Sequence, residues 1–316
     1  MPPINVGVVG LGKMGENHCR ILQMIHDVNQ IAIYDIDLAK LQEIETRYNA
    51  KAYSTYTEMI DNVDAVIIAT PTPLHFFYAK IALEKGKHVL VEKPITVTVE
   101  EATELQKSIV QASQVFQVGH VERFNPAIRP LKDICKPANM ISIDAKRLSH
   151  SDRNLDTDVI LDLMIHDIDI VLHLVKSPLH TVTATGVSLT NSKFIDSASA
   201  LLSFTNGVIA TLVASRVSMK KTRSLSIYET DRTISVNYLT KELLIYHQPT
   251  PQVDHNIKTE TLIEKILIPQ SDPLYEELLH FISCITKSNR PQIGPEEGLE
   301  ALAVALKIKE AIHAKK

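Results

Sequence analysis

The stretch INVGVVGLGKMG, residues 4–15, holds four of the chain's ten glycines, Gly7, Gly10, Gly12 and Gly15. Ile4, Val6, Val8 and Val9 form a β-branched run of the type buried in parallel sheets, and Met14, Ile21, Leu22 and Ile25 then recur at helical spacing. The glycines therefore occupy a strand-to-helix turn. Gly10, Gly12 and Gly15 spell GxGxxG: the first permits the tight turn, the second lets backbone N–H groups approach a pyrophosphate, and the third lets the helix pack on the strand. The helix N-terminus adds unpaired donors and the positive end of its dipole. Asp35 follows Gly15 by 35 − 15 = 20 residues, at the end of the next strand-like run, where a carboxylate can accept both adenosine ribose hydroxyls. It would repel a 2′-phosphate, and Ile36 brings no cation to offset that, so the expected cofactor is NAD and not NADP. The competing reading is a glycine-rich turn with an acidic helix cap, a role for which Asp37 is better placed.

From this turn outward, strand-like residues 30–34, 64–69, 88–91 and 115–118 alternate with helix-like residues 38–48, 76–85 and 99–113, a pattern of repeated βαβ units. Thr55 with Glu58 and Thr98 with Glu101 have the spacing of capping boxes. A linking helix is expected over 125–135. Beyond it the texture changes: 138–148, 180–189, 199–205, 208–215, 224–228 and 233–238 read as strands and 158–174 as a helix. Asn206 and Gly207 suit a type I′ hairpin. Ser271, Asp272 and Pro273 start a further helix, and 295–314 close the chain in another. The fold class is α/β: a doubly wound parallel Rossmann sheet over 1–122, then an α+β domain over 123–316 with a large, open, mostly antiparallel sheet. The final helix is free to pack back on the first domain.

The 316 residues suit about two domains. Hydrophobic residues at 45% and charged residues at 22% exclude a disordered chain. Lys plus Arg minus Asp plus Glu is 33 − 37 = −4, so no basic field favours nucleic acid as a partner. Cys19, Cys135 and Cys284 are too widely spaced for a disulfide framework or a zinc site. No signal-peptide pattern and no run of about 18 apolar residues is present, so no membrane partner and a cytoplasmic location are expected.

The segment GLGKMG, the segment ATPTPLH (69–75), the tripeptide EKP (92–94) and the DxxxH of Asp162 and His166 together resemble the Gfo/Idh/MocA oxidoreductase family, in the same order along nearly the whole chain. The resemblance implies hydride exchange at a sugar or polyol hydroxyl. It implies a cofactor site of Gly10, Gly12, Lys13, Met14, Gly15, Asp35, Ala69, Thr70, Pro71, His75, Glu92 and Lys93, and a catalytic set of Lys93, Asp162 and His166. The residue types suit those roles. Removing a hydroxyl proton needs a base of near-neutral pKa, which His166 supplies. Lys93, extended before Pro94 at the C-terminal end of a strand, can hold the substrate oxygen and stabilise developing negative charge. Asp162 lies four residues from His166 and projects to the same side of a helix. Periodicity alone equally allows a narrow solvated edge carrying polar residues 158, 162, 166, 167, 169 and 173. A metal held by Asp162, His166 and His173 or Asp169 lacks a further donor, and no metal is expected.

The segments GHVERFNPAI (119–128) and DLMIHDIDIV (162–171) are most similar to a branch of the family acting on UDP-N-acetylglucosamine at the sugar 3-hydroxyl. Arg216, Lys220, Lys221 and Arg223 place four cations in eight residues, with Arg147 on another strand, and such a ribbon could hold a diphosphate. A solvated edge strand protected by lysines would look the same. Arg123 and Asn125 are further substrate-binding candidates, though Asn125 could simply cap a helix before Pro126. A free polyol or monosaccharide of inositol type, or an NAD-binding sensor without turnover, are the alternative functions. Residues 199–215 carry Leu, Val and Ile on both alternating faces, so a homodimer or homotetramer through the second domain's sheet is expected.

Overall fold

Strands β1 (Ile4–Val9), β2 (Val28–Tyr34), β3 (Lys51–Ala52), β4 (Ala65–Ile68), β5 (His88–Glu92) and β6 (Phe116–Gly119) form one sheet in the order β3-β2-β1-β4-β5-β6. Every neighbouring pair in it is parallel. Helices α1 (Lys13–Leu22), α2 (Leu38–Tyr48), α3 (Tyr56–Asp61), α4 (His75–Glu84) and α5 (Val99–Lys107) connect them. All four residues of β4 are fully buried, as expected of a strand covered on both faces. The strand order reverses between β1 and β4, which is where a doubly wound sheet opens a crevice at its carboxyl ends. The computed structural model describes residues 2–109, 114–150, 157–189, 193–248 and 262–314. The end of the helix read over 99–113 lies outside them.

The chain divides into two compact units, Met1–Val121 with Asp272–Leu302, and Glu122–Ser271 with Ala303–Lys316. Of the stretch 123–316 read as the second domain, residues 272–302 cluster with the first unit. The cause is α8 (Pro273–Lys287), whose stripe of Leu274, Leu278, Phe281, Ile282 and Ile285 joins the same core as β1, β4 and α1. Asp272 caps it, accepting from Leu274 N at 3.0 Å.

In the second unit, β7 (Met140–His150), β8 (Leu179–Val187), β9 (Ser197–Phe204), β10 (Ile209–Ser215), β11 (Val217–Glu229), β12 (Arg232–Asn237), β13 (Glu242–His247) and β14 (Ile263–Ile266) form an eight-stranded sheet. Its order is β14-β13-β12-β11-β7-β10-β9-β8, with β7 and β10 parallel and the other pairs antiparallel. The linking helix shrinks to α6 (Leu131–Ile134). Helix α7 (Ile165–Val175) buries Ile165, Ile168, Val171 and Leu174 and contacts β7 and β10. The last helix, α9, spans Pro295–His313. The hairpin at 204–208 differs from the expected type I′ turn. Gly207 has φ +88° but Asn206 is not in the left-handed region, and Gly207 N bonds Phe204 O at 3.0 Å. That is a turn closed by a single left-handed glycine, the three-residue bulged form.

Candidate functional site

The turn after β1 is shaped by contact as much as by φ. Gly10 has φ +84°, and a Cβ there would lie 2.7 Å from Thr70 N; a Cβ on Gly15 would lie 1.9 Å from Gly10 O. Above Gly12, by contrast, a Cβ would meet nothing within 4 Å, and no side chain caps α1. The first-turn N–H groups of Lys13 and Met14 thus lie at a helix end that no side chain caps, where the dipole is positive. Thr70 Oγ1 is buried without a hydrogen-bond partner among the described residues. Asp35 is oriented by two backbone donors, Leu11 N at 2.5 Å and Asp37 N at 2.9 Å. Asp37 is the cap of α2, accepting from Ala39 N and Lys40 N. A diphosphate above Gly12, a ribose at Asp35 and a polar group at Thr70 fit the residues present, as NAD requires.

On the far side of the crevice, Glu92 ends β5 and Lys93 follows it, half-buried. His75 is 1% exposed, with Nδ1 2.8 Å from Pro94 O and Nε2 2.9 Å from Thr70 O. It ties the loop 69–71 to the loop 93–95 and is the first residue of α4. Burial pushes its pKa below the ordinary histidine value against the pull of those carbonyls. Glu92 is also buried, with Oε1 2.8 Å from His18 Nε2. Burial pushes its carboxyl up, but His18, then the charges of Lys93 and His75, outweigh this and hold it below the usual range.

In the second unit, Asp162 lies in a turn of π-helix, Ile160–Met164, that runs directly into α7 carrying His166. Both are half-buried. π-Turns recur at functional sites because the extra residue re-aims the side chains around it. The polar stripe read along this segment is in fact divided. Asp167 and Asp169 turn inward: Arg147 holds Asp167 with Nε at 3.0 Å and Nη2 at 2.9 Å, and Arg123 holds Asp169 with Nε at 2.6 Å and Nη2 at 2.8 Å. Asp158 accepts from Ile195 N at 2.8 Å and pairs with Lys309 at 2.6 Å. His173 is pushed down to about 4 by burial and then by the Arg123 charge.

These pairs show what the arginines and Asn125 expected to bind substrate already hold within the protein. Arg147 Nη1 also bonds Glu122 Oε1 at 2.7 Å, so its fork is spent on two buried carboxylates. Burial raises Glu122, but Arg147 and then Asn125 bring it below the ordinary carboxylate value. Asn125 donates to Glu122 Oε2 and accepts from Ala127 N, closing a turn over 126–130; it does not cap the linking helix, whose cap position is Pro130. Arg216 is turned inward, donating to Thr157 O at 2.6 Å. These four residues hold the scaffold of α7 and its neighbours. Arg223 is different. It is half-buried, its one ion pair among the described residues is the 3.3 Å contact with Glu122, and the Asp162 charge bears on it. Burial and then the Arg147 charge lower its pKa. Lys220 and Lys221 stand exposed where the β7–β11 register shifts. Sequence reasoning placed Arg223 only in a general basic ribbon and Asp167 only along a polar stripe, and passed over His18. His18 was visible as a histidine one turn before Ile21 and Leu22 on the apolar face of α1.

Fold and turn together define an NAD-dependent oxidoreductase. Residues 4–120 match the model of the oxidoreductase family with an NAD-binding Rossmann fold, and residues 140–235 the GFO/IDH/MocA C-terminal domain. The chain is 33% identical, over 98% of its own length and 98% of the relative's, to UDP-N-acetylglucosamine 3-dehydrogenase of Acidithiobacillus ferrooxidans. A solved structure of the enzyme of that name from A. ferrooxidans superposes with TM-score 0.90 at 31% identity, covering 99% of both chains. Myo-inositol 2-dehydrogenase of Thermotoga maritima is 23% identical over 99% of this chain and 97% of its own. The chain belongs to the Gfo/Idh/MocA family.

Proposed function

We propose that the protein oxidises a secondary hydroxyl of a nucleotide sugar, with the 3-hydroxyl of UDP-N-acetylglucosamine as the preferred target. The observation that carries this reading is the full-length similarity to a UDP-N-acetylglucosamine 3-dehydrogenase, in both sequence and structure. Bound NAD supplies the hydride acceptor. Gly10, Gly12, Lys13, Met14 and Gly15 seat its diphosphate, Asp35 its ribose, and Ala69, Thr70 and Pro71 with the 92–94 turn its nicotinamide end. Lys93 holds the substrate oxygen, His166 takes the hydroxyl proton, and Asp162 orients the sugar beside that histidine. Arg223, rather than Arg123, Arg147 or Arg216, is assigned to the substrate's diphosphate because it alone of the four is not buried and holds a single ion pair at 3.3 Å.

The second reading, a free inositol-like polyol as substrate, draws on the inositol dehydrogenase relative. Initial rates of NADH formation with UDP-N-acetylglucosamine, its galactosamine epimer, inositols and glucose separate the two. The nucleotide sugars should be at least about tenfold better in kcat/KM, since a diphosphate adds charge-assisted contacts. A preference for free polyols would replace the first reading by the second.

The assembly is proposed to be a homodimer or homotetramer through the second unit's sheet. Leu201 and Ile209 stand 45% and 43% exposed on neighbouring strands of its open face. Sedimentation should find no monomer at micromolar concentration. Three buried free cysteines suit a cytoplasmic setting, and no helix among the described residues is long and apolar enough to cross a membrane.

A further inference from the structure

Along β7 the side chains alternate between two environments. Ile143, Ala145 and Arg147 are buried, and Arg147 holds Asp167 of α7, so this set faces the helix. Asp144 and Lys146 therefore stand on the opposite, open face of the sheet, the first half-buried and the second exposed. Strand pairing carries that face outward. Thr211 of β10 and Ser226 of β11 flank Asp144, while Val213 and Ser224 flank Lys146. One strand further, Leu201 of β9 lies beside Thr211. Hydroxyl and aliphatic side chains thus surround one acid and one base on β7, which has four strands on one side and three on the other. Among the described residues neither Asp144 nor Lys146 makes an ion pair.

Two opposite charges at the middle of an otherwise neutral face are self-complementary under one kind of rotation only. A half-turn about an axis lying in the face and crossing β7 at Ala145 reverses the strand. It brings Asp144 of one copy opposite Lys146 of a second, and Lys146 opposite Asp144, as an isologous contact requires. A half-turn about an axis along β7 would instead set acid against acid and base against base, so the same two residues oppose that packing. With strands ~4.8 Å apart and ~3.3 Å per residue, the face from β13 to β8 is on the order of 600 Å² in plan, comparable to the roughly 800 Å² of accessible surface that each partner gives to a stable interface.

We propose that this face meets a second copy of the chain, the two sheets running antiparallel about an axis that crosses β7 at Ala145, so that Asp144 of each copy pairs with Lys146 of the other. This rests on the proposed self-association through the sheet, to which it adds the register. Burial of Leu201 and Ile209 supplies the attraction, and the two charge pairs select the orientation.

Sedimentation of the full-length protein at micromolar concentration tests this without cofactor or substrate. Asp144→Lys sets base against base twice, and Lys146→Asp sets acid against acid twice. Each variant alone should associate at least about 10²-fold more weakly and run at half the wild-type assembly mass. Mixed in equal amounts, the two variants restore both opposite-charge pairs and should regain the wild-type mass, which neither misfolding nor a general weakening of the face would produce. A second measurement needs no variant. Carbodiimide cross-linking of unlabelled and isotope-labelled wild type, mixed and allowed to exchange subunits, should join Asp144 to Lys146 in peptides carrying both labels. Single variants of wild-type mass, a mixture of folded, NAD-binding variants that stays dissociated, or a cross-link that is absent or confined to one label would overturn the register. A monomeric wild type would instead remove the self-association itself, and the register with it.

Discussion

Around the glycine turn of the first unit the proposed binding surface is backbone: Gly10 and Gly15 allow main chain to touch main chain, and the N-terminus of α1 carries no side-chain cap. Around α7 of the second unit it is side chain: Arg147 and Arg123 grip Asp167 and Asp169 from elsewhere in that unit, leaving Asp162 and His166 on the half-exposed side. A backbone site depends on a few residues adjacent in sequence and tolerates change around it. A side-chain site depends on ion pairs between residues 20 to 46 positions apart, and each buried pair becomes a liability when halved. The two regions should therefore fail differently.

The largest effects are expected at the chemistry. Lys93→Ala or His166→Ala should lower kcat by about 10² or more with NAD affinity nearly intact, as isothermal titration would verify. Next comes the scaffold. Arg147→Ala strands Glu122 and Asp167 in a dry pocket and should cost about 3–5 kcal/mol in denaturant unfolding. Arg147→Lys should rescue it poorly, because an ammonium cannot match the planar fork. If Arg147→Ala left stability unchanged but abolished substrate binding, the division between scaffold and site would be misplaced.

A gentler perturbation of the backbone site is Asp35→Ser, which should weaken NAD about tenfold and improve NADP, since a hydrogen-bonded carboxylate is exchanged for a neutral group. Wild-type preference for NADP would contradict the assignment of Asp35. The pH dependence sharpens the same contrast. Glu122 is depressed in the folded state from 4.5, so its stabilising contribution is complete above that value. It is lost as pH falls through the lower folded value. Glu122→Gln should flatten this part of the acid unfolding curve. The smallest effect is expected at the α5 cap, where Thr98 accepts from Glu101 N at 3.2 Å: Thr98→Ala should cost about 1 kcal/mol in thermal unfolding.

What was legible follows the same divide. The GxGxxG turn, Asp35 and the parallel strands could be read because local φ, β-branching and short spacing dictate them. The two-residue β3 escaped because so short a strand carries no periodicity. Strand β13 went unread, although its Leu243 and Ile245 alternate into the core. The placement of α8 with the first unit was hidden, since an amphipathic stripe reveals that it is buried and not against what. The commitment of Arg123, Arg147 and Arg216 was equally hidden: an arginine in a basic ribbon looks identical whether its partner is a ligand or an aspartate twenty residues away. The π-turn at Asp162 left no mark in the apolar period.

The central claim is that Lys93, Asp162 and His166 serve the oxidation of a nucleotide sugar by NAD. Its most direct test is mass spectrometry of UDP-N-acetylglucosamine incubated with enzyme and NAD, with carbonyl trapping to locate the product. The prediction is loss of two hydrogens from the sugar with a keto group at the 3-position, matched by NADH and absent with His166→Ala. An unchanged sugar in the presence of folded, NAD-binding protein would contradict it.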